Sequence, residues 1–256
     1  MNLWIAFVAV VVGYLLGSIS FAALLARIFA PGVDLGHTEV TYSEGIKVVM
    51  TNVSATTLSF AVSKPLGMLC SLLDMAKAAV PTLVFKLLYP QAPYFLIVAV
   101  AAVVGHNWPL FNRFRGGRGF SPTYGSLFVI DWTSVPVSFL ASLAFMIITH
   151  QLFFGFLTAL LFVIPWLWFR THSLEHVLYA VAINVIYMIS MIPEIKIYRE
   201  QMKAGIDMTA VRNLSVLDVM PHGDRVKQLL ARFRRPGSDT SSKEVSDEPL
   251  RETLKR

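Results

Sequence analysis

The sequence predicts an all-α fold: a polytopic membrane protein, built as a bundle of about seven transmembrane segments. Three observations predict it. Of the 256 residues, 55% are hydrophobic and only 15% charged, where a soluble domain of this size carries about 25% charged residues. Apolar runs follow one another closely as far as residue 193, which fits one bundle better than two domains. The longer runs also reach the roughly 20 apolar residues that a helix needs to cross the hydrocarbon.

The first run, residues 3–29, has no charge before Arg27. A secretory signal would open with basic residues and carry an apolar core of about 7–15 residues, so a retained helix is expected. A polar loop follows to about Asn52, with Asp34, His37, Glu39, Glu44 and Lys47. The second span, residues 65–88, carries Asp74, Lys77 and Lys86, and the third, residues 93–105, is short. Residues 105–120 then read G-H-N-W-P-L-F-N-R-F-R-G-G-R-G-F, the second polar loop. A half-length run (123–130) and three longer ones (134–149, 151–169 and 174–192) complete the seven.

From residue 194 to 236 there are nine Lys and Arg against five acids, and basic residues near helix ends mark the cytoplasmic side. With that segment inside, an odd count of crossings places the N-terminus outside and both polar loops on the cytoplasmic face. Arg113, Arg115 and Arg118 agree with this orientation. Three regions are expected: a membrane domain over residues 1–200, a basic amphipathic cytoplasmic segment over 201–235, and a disordered tail over 236–256. In the middle region Val226, Leu229, Leu230 and Phe233 recur at helical spacing opposite Arg and Lys. That pattern suits a helix lying among headgroups, with packing on the protein's own loops as the alternative. The tail is nearly balanced in charge and rich in Ser, Asp and Glu. Anionic lipid is the expected partner of the basic residues, ahead of nucleic acid.

Few residues can carry chemistry. Gly116, Gly117 and Gly119 flank Arg118; glycines let backbone N–H groups approach an anion, and arginine grips a phosphate through two parallel hydrogen bonds. A tight turn with an arginine reaching for the headgroups is the competing reading. Asp74 and Lys77 stand three apart on one helix face, either a structural ion pair or a brace for the second loop, because charges inside a membrane are paired or face a polar cavity. His106 opens the second loop and is either a base or a structural hydrogen-bonder. The remaining histidines show no metal-ligand spacing, and no phosphate-binding P-loop, nucleophile elbow or HExxH is present. No metal or cofactor is expected. The single cysteine, Cys70, lies in an apolar run and is expected to be a small core residue.

These residues resemble a known family, the bacterial membrane-bound acyl-phosphate:glycerol-3-phosphate acyltransferases. Tyr14 to Phe21 reads Y-L-L-G-S-I-S-F, close to the family's YLLGSIPF, and Val33-Asp34-Leu35 matches the V-D-I/L that follows. Asp74-Met75-Ala76-Lys77 matches D-x-x-K, and residues 105–119 match G-H-x-x-P-x-F-x-x-F-x-G-G-K-G with Arg118 in place of lysine. The similarity covers roughly residues 5–200. The family's first-loop motif, G-S-G-N-x-G-A-T-N followed by arginine, is altered. Two registers are open: Thr51-Asn52-Val53 on its T-N-V, or Asn52 and Ser54-Ala55-Thr56-Thr57 with Met50 at the serine. An arginine follows in neither. The third motif, H-x-x-N-I, falls at residues 193–197, where Pro193 and Lys196 replace the histidine and asparagine.

The resemblance implies transfer of an acyl group from acyl phosphate to the 1-hydroxyl of glycerol 3-phosphate. The product is lysophosphatidic acid, made at the inner (cytoplasmic) membrane of a bacterial cell during phospholipid synthesis. Thr51, Asn52, His106, Gly116, Gly117, Arg118 and Gly119 are the expected substrate-binding residues. Ser18, Asp74 and Lys77 support them, and no single catalytic residue is assigned. Lys47, Lys64, Arg115 and Lys196 are candidates to replace the lost cations. Acyl phosphate, glycerol 3-phosphate and membrane lipid are the expected partners, with other lipid-synthesis proteins as further candidates and no nucleic acid. The rival reading is a catalytically weakened paralogue that binds a lipid or phosphorylated ligand.

Overall fold

A computed structural model describes residues 1–41, 47–50, 52–149 and 152–203. Thr51, His150, the basic segment beyond residue 203 and the tail expected over 236–256 lie outside the described residues. The seven apolar runs are all helical and in the expected order. Four helical stretches are long and apolar enough to cross a membrane: Leu3–Phe29, Lys64–Leu88, Tyr94–Asn112 and Leu174–Pro193. A full set of seven crossings is therefore not established by length alone. The chain is a multi-pass membrane protein, with Trp4, Phe7, Leu72, Leu87, Phe139 and Val185 among many large apolar side chains turned outward, as lipid-facing helices require.

The first span is broken rather than continuous. It comprises α1 (Leu3–Gly17) and α2 (Phe21–Phe29). Ser18 Oγ donates back to the Tyr14 carbonyl at 2.7 Å, a bond that competes with the helical ladder. Ser20 then accepts from the Ala23 amide and caps α2. Gly13 and Gly17, four apart, turn the bare side of α1 onto α5 (Tyr94–Asn107). A Cβ at Gly13 would stand 2.9 Å from Ala101 Cβ, and one at Gly17 would stand 2.8 Å from the Ala102 backbone. Between lipid-immersed helices such close backbone approach supplies the packing that apolar burial cannot.

The first polar loop contains structure that its sequence did not announce. Asp34 caps a 3-10 turn at Leu35–His37 by accepting from the Gly36 amide at 2.8 Å. Two short strands, β1 (Thr38–Thr41) and β2 (Lys47–Met50), then pair antiparallel with Thr38 opposite Met50. A short helix, α3 (Ala55–Ala61), is capped by Ser54 and packs on α4 (Lys64–Leu88). Val53, Leu58, Cys70, Ala22, Ala26 and Leu35 form one apolar cluster there.

The half-length run is α6 (Phe120–Ile130), 11 residues long, or about 16 Å at 1.5 Å per residue. That is roughly half the hydrocarbon thickness. Polar links fix its position. Tyr124 hydroxyl meets Ser138 of α7 (Ser134–Thr149) at 3.0 Å, and Ser126 meets Tyr179 of α9 (Leu174–Lys203) at 2.7 Å. Gly125 lets α6 lie against the Met75 backbone of α4, 2.7 Å from where a Cβ would stand. Lys86 donates to the Ile130 carbonyl at 3.3 Å, a cation at the negative end of the helix dipole. α7 and α8 (Leu152–Thr171) pack as neighbours, with Ser142 donating to the Gly155 carbonyl at 2.8 Å. α9 continues through Pro193 to Lys203, beyond the stop expected at residue 192.

Candidate functional site

Asp74, in the middle of α4, is the hub of a buried polar cluster. Lys77 Nζ lies 2.7 Å from Asp74 Oδ1, with both side chains under 5% exposed. Lys77 also donates to the Ile19 carbonyl at 2.7 Å, one of the backbone oxygens released where α1 breaks beside Ser18. The break and the cation therefore answer one another: the span gives up helical bonds, and Lys77 uses the freed acceptor. Cys70, fully buried, donates its thiol to Asp74 Oδ2 at 3.5 Å. His106, on the last turn of α5, places Nδ1 3.5 Å from Asp74 Oδ1. A ring nitrogen facing a carboxylate carries the proton, so Nε2 is the acceptor edge.

That acceptor edge faces the glycine loop. A Cβ at Gly117 would collide with the His106 imidazole, and its amide donates to the His106 carbonyl at 3.3 Å. A Cβ at Gly116 would collide with the His106 carbonyl and stand 2.6 Å from the Pro109 ring and 2.8 Å from the Asn107 carbonyl. Upstream, Arg113 (φ 53°) and Phe114 (φ 58°) take left-handed backbone angles, each costing about 1–2 kcal/mol for a residue with a side chain. Gly119 (φ +81°) turns the chain into α6 and has no side chain to cap it. The loop therefore folds back onto the end of α5 and delivers the uncapped amino end of the half-helix to the same place.

Arg118, the residue before that end, is partly buried against α9. Burial pushes its guanidinium below the ordinary arginine value, while the Tyr187 hydroxyl, accepting from it, works in the opposite direction. The group stays a cation at any working pH. Tyr187, 5% exposed, had no motif to mark it. Arg115 is exposed, and a Cβ at Gly36 would stand 3.6 Å from its Nη1, so its guanidinium reaches over the first loop's 3-10 turn.

Of the expected site residues, the structure gathers Asp74, Lys77, His106, Gly116, Gly117, Arg118 and Gly119, with Ser18 beside Ile19. Asn52 stands apart, at the entrance to α3. Its carbonyl and side-chain oxygens accept from Thr57 Oγ1 at 2.7 and 2.8 Å, and the link from that region to Asp74 runs through the Val53–Leu58–Cys70 cluster. Lys196 is exposed on the far turns of α9.

Residues 7–231 match the family described as glycerol-3-phosphate acyltransferase. The glycerol-3-phosphate acyltransferase of Anaeromyxobacter sp. (strain Fw109-5) is 40% identical over 133 residues, which are 50% of this chain and 60% of that relative. Glycerol-3-phosphate acyltransferase 2 of Thermotoga maritima is 30% identical over 150 residues, covering 59% of this chain and 71% of its own. The chain thus spans less than two thirds of the first relative's length. The fold is similar to the crystal structure of PlsY, an integral membrane glycerol 3-phosphate acyltransferase, in its glycerol 3-phosphate form. The TM-score is 0.64 at 25% identity, over 78% of this chain and 92% of that one. The match extends over most of the residues that build the buried cluster, the broken first span and the half-helix, and the chain belongs to the glycerol-3-phosphate acyltransferase family.

Proposed function

We propose that this chain transfers an acyl group from acyl phosphate to the 1-hydroxyl of glycerol 3-phosphate, forming lysophosphatidic acid in the inner membrane of a bacterial cell. The observation that carries the proposal is that Arg118, whose guanidinium bonds to Tyr187 of α9, immediately precedes the uncapped amino end of α6. Both are positive, and an arginine next to a helix amino end suits a phosphate. Similarity to the PlsY structures in glycerol 3-phosphate and lysophosphatidic acid forms supports the same ligands here and favours a transferase over a weakened paralogue.

The chemistry asks for placement more than for a nucleophile. An acyl phosphate is already activated and phosphate is its leaving group, so the acceptor hydroxyl attacks the acyl carbon directly. The protein holds two anionic substrates in line and stabilises the charge that develops. Arg118 and the α6 amides take a phosphate. His106, held by Asp74, supports the loop from below at Gly117, and Lys77 fixes Asp74. Arg115, over the first-loop turn, supplies a cation where the family's first-loop arginine is missing. Asn52 and Thr51 belong to the acyl-phosphate side.

The test is an assay of the purified protein in lipid nanodiscs with acyl phosphate and labelled glycerol 3-phosphate. Wild type forms lysophosphatidate, and Arg118→Ala lowers kcat/KM by about 10²–10³, while the lost bond to Tyr187 lowers the melting temperature only modestly. Wild-type protein that binds glycerol 3-phosphate yet forms no product above background would overturn the transferase in favour of the binding paralogue.

A further inference from the structure

Asn107 closes α5 with its side chain turned toward Gly119. A Cβ on Gly119 would stand 2.8 Å from Asn107 Oδ1 and 3.3 Å from Nδ2. The residue is 4% exposed, yet neither amide atom has a hydrogen-bond partner among the described residues. Thr123, on the first turn of α6 and 2% exposed, donates its amide to the Gly119 carbonyl at 3.0 Å. Its hydroxyl is likewise without a partner there. Buried polar side-chain atoms are almost always bonded, and leaving them so is costly. Three such atoms thus sit on two residues that both touch Gly119 at the uncapped amino end of α6, Asn107 through its side chain and Thr123 through its backbone amide.

The chemistry of the set restricts what answers it. An amide offers one acceptor and a donor, and a hydroxyl offers either. The set is neutral. A phosphate brings only acceptors and leaves Asn107 Oδ1 unanswered, whereas an alcohol hydroxyl donates to Oδ1 and accepts from Nδ2 or Thr123. Arg118 adjoins Gly119 in the chain, so a ligand whose phosphate is held by Arg118 and the α6 amides has its next carbons near Gly119.

We infer that Asn107 and Thr123 form a hydroxyl-recognition subsite at Gly119, which holds the C2 hydroxyl of a phosphorylated polyol. The inference rests on the acceptor reading proposed above, because the C1 hydroxyl is the one acylated and C2 is left to be recognised. Asn107 is a specificity-determining residue in a position where the family's second-loop motif leaves the residue type open.

The experiment compares glycerol 3-phosphate with 3-hydroxypropyl phosphate, which lacks only the C2 hydroxyl, by turnover and by calorimetric binding. Wild type prefers the hydroxylated substrate, and Asn107→Leu removes about 10- to 100-fold of that preference by weakening glycerol 3-phosphate alone. Thr123→Val is the second variant, in case Asn107→Leu fails to fold. Equal loss for both ligands, as expected if the two residues only hold a structural water, overturns the inference. So does a wild type that binds the two ligands alike or binds neither. If binding discriminates and the variants abolish the discrimination, but no acyl transfer occurs, the subsite stands and the transferase reading falls.

Discussion

Asp74 is a carboxylate 2% exposed in the middle of a membrane helix, and its three neighbours determine what its loss would do. Lys77 neutralises it, His106 Nδ1 lies 3.5 Å from Oδ1, and Cys70 donates to Oδ2. Breaking a buried ion pair by removing one partner costs about 3–5 kcal/mol, because the other charge is left alone. Lys77→Met should therefore lower the melting temperature in detergent sharply. Asp74→Asn combined with Lys77→Met should recover much of the loss, short of the roughly 1.5–3 kcal/mol charge-assisted bond to the Ile19 carbonyl. A double variant as unstable as the sum of the two single ones would show that the pair is not the source of the stability. The same residue explains why the site was partly legible. Asp74, Lys77 and His106 stand out because ionisable groups are rare in apolar sequence, and the glycines because nothing else fits so near a backbone. Asn107, Thr123 and Tyr187 did not stand out: an amide in a polar loop and hydroxyls in apolar runs are ordinary until burial and partners are known.

Elements were legible where a long apolar run decides the outcome, as in α4 and α8. They were not where single hydrogen bonds decide it. The break between α1 and α2 depends on Ser18 and Ser20 bonding to backbone and on Lys77, 58 residues away, reaching Ile19. The hairpin and α3 lie in a polar stretch whose pattern reads as loop, and α9 overruns Pro193. The turn from α6 into α7 offers a prediction at this scale. Asp131 accepts from Thr133 and Ser134 hydroxyls at 2.8 Å, and Arg170 Nε lies 3.7 Å away. Burial alone would raise its carboxyl; the Thr133 and Ser134 bonds, then Arg170, outweigh that and hold it below the usual carboxylate range. A carboxyl lowered on folding stabilises the fold above its unfolded value, about 3.9, and loses that contribution as pH falls through the lower, folded value. Arg170 is 46% exposed, so its ion pair adds less than about 1 kcal/mol. Asp131→Asn should thus melt below wild type at pH 7, with the gap closing as pH drops below about 4. A gap that is the same at both pH values would mean that the hydroxyl bonds do not depend on charge.

The whole molecule has two chemically distinct ends. At one, Asn2 meets Tyr94, Lys86 meets the Ile130 carbonyl, and Arg170 meets Asp131. Toward the other lie Ile19, His106 and Arg118, with Arg27, Arg113 and Arg115 in the adjoining segments and Lys196, Arg199 and Lys203 at the end of α9. Cations are concentrated on the second side, and cation-rich ends stay in the cytoplasm. The first loop, the glycine loop and the end of α9 should therefore face the cytoplasm, with Met1 outside. Cys70 is 0% exposed, so added thiols can be read without removing it. Val33→Cys, in the first loop, should react with a membrane-impermeant maleimide in inverted vesicles and be protected in right-side-out ones. Gln91→Cys, between α4 and α5, should behave oppositely. Labelling of both from one side would place the two loops on the same face, which the passage of α4 between them forbids if it crosses. Labelling from opposite sides but in the reverse sense would instead keep the bundle and invert it, putting the Arg118 site on the face away from the cytoplasm.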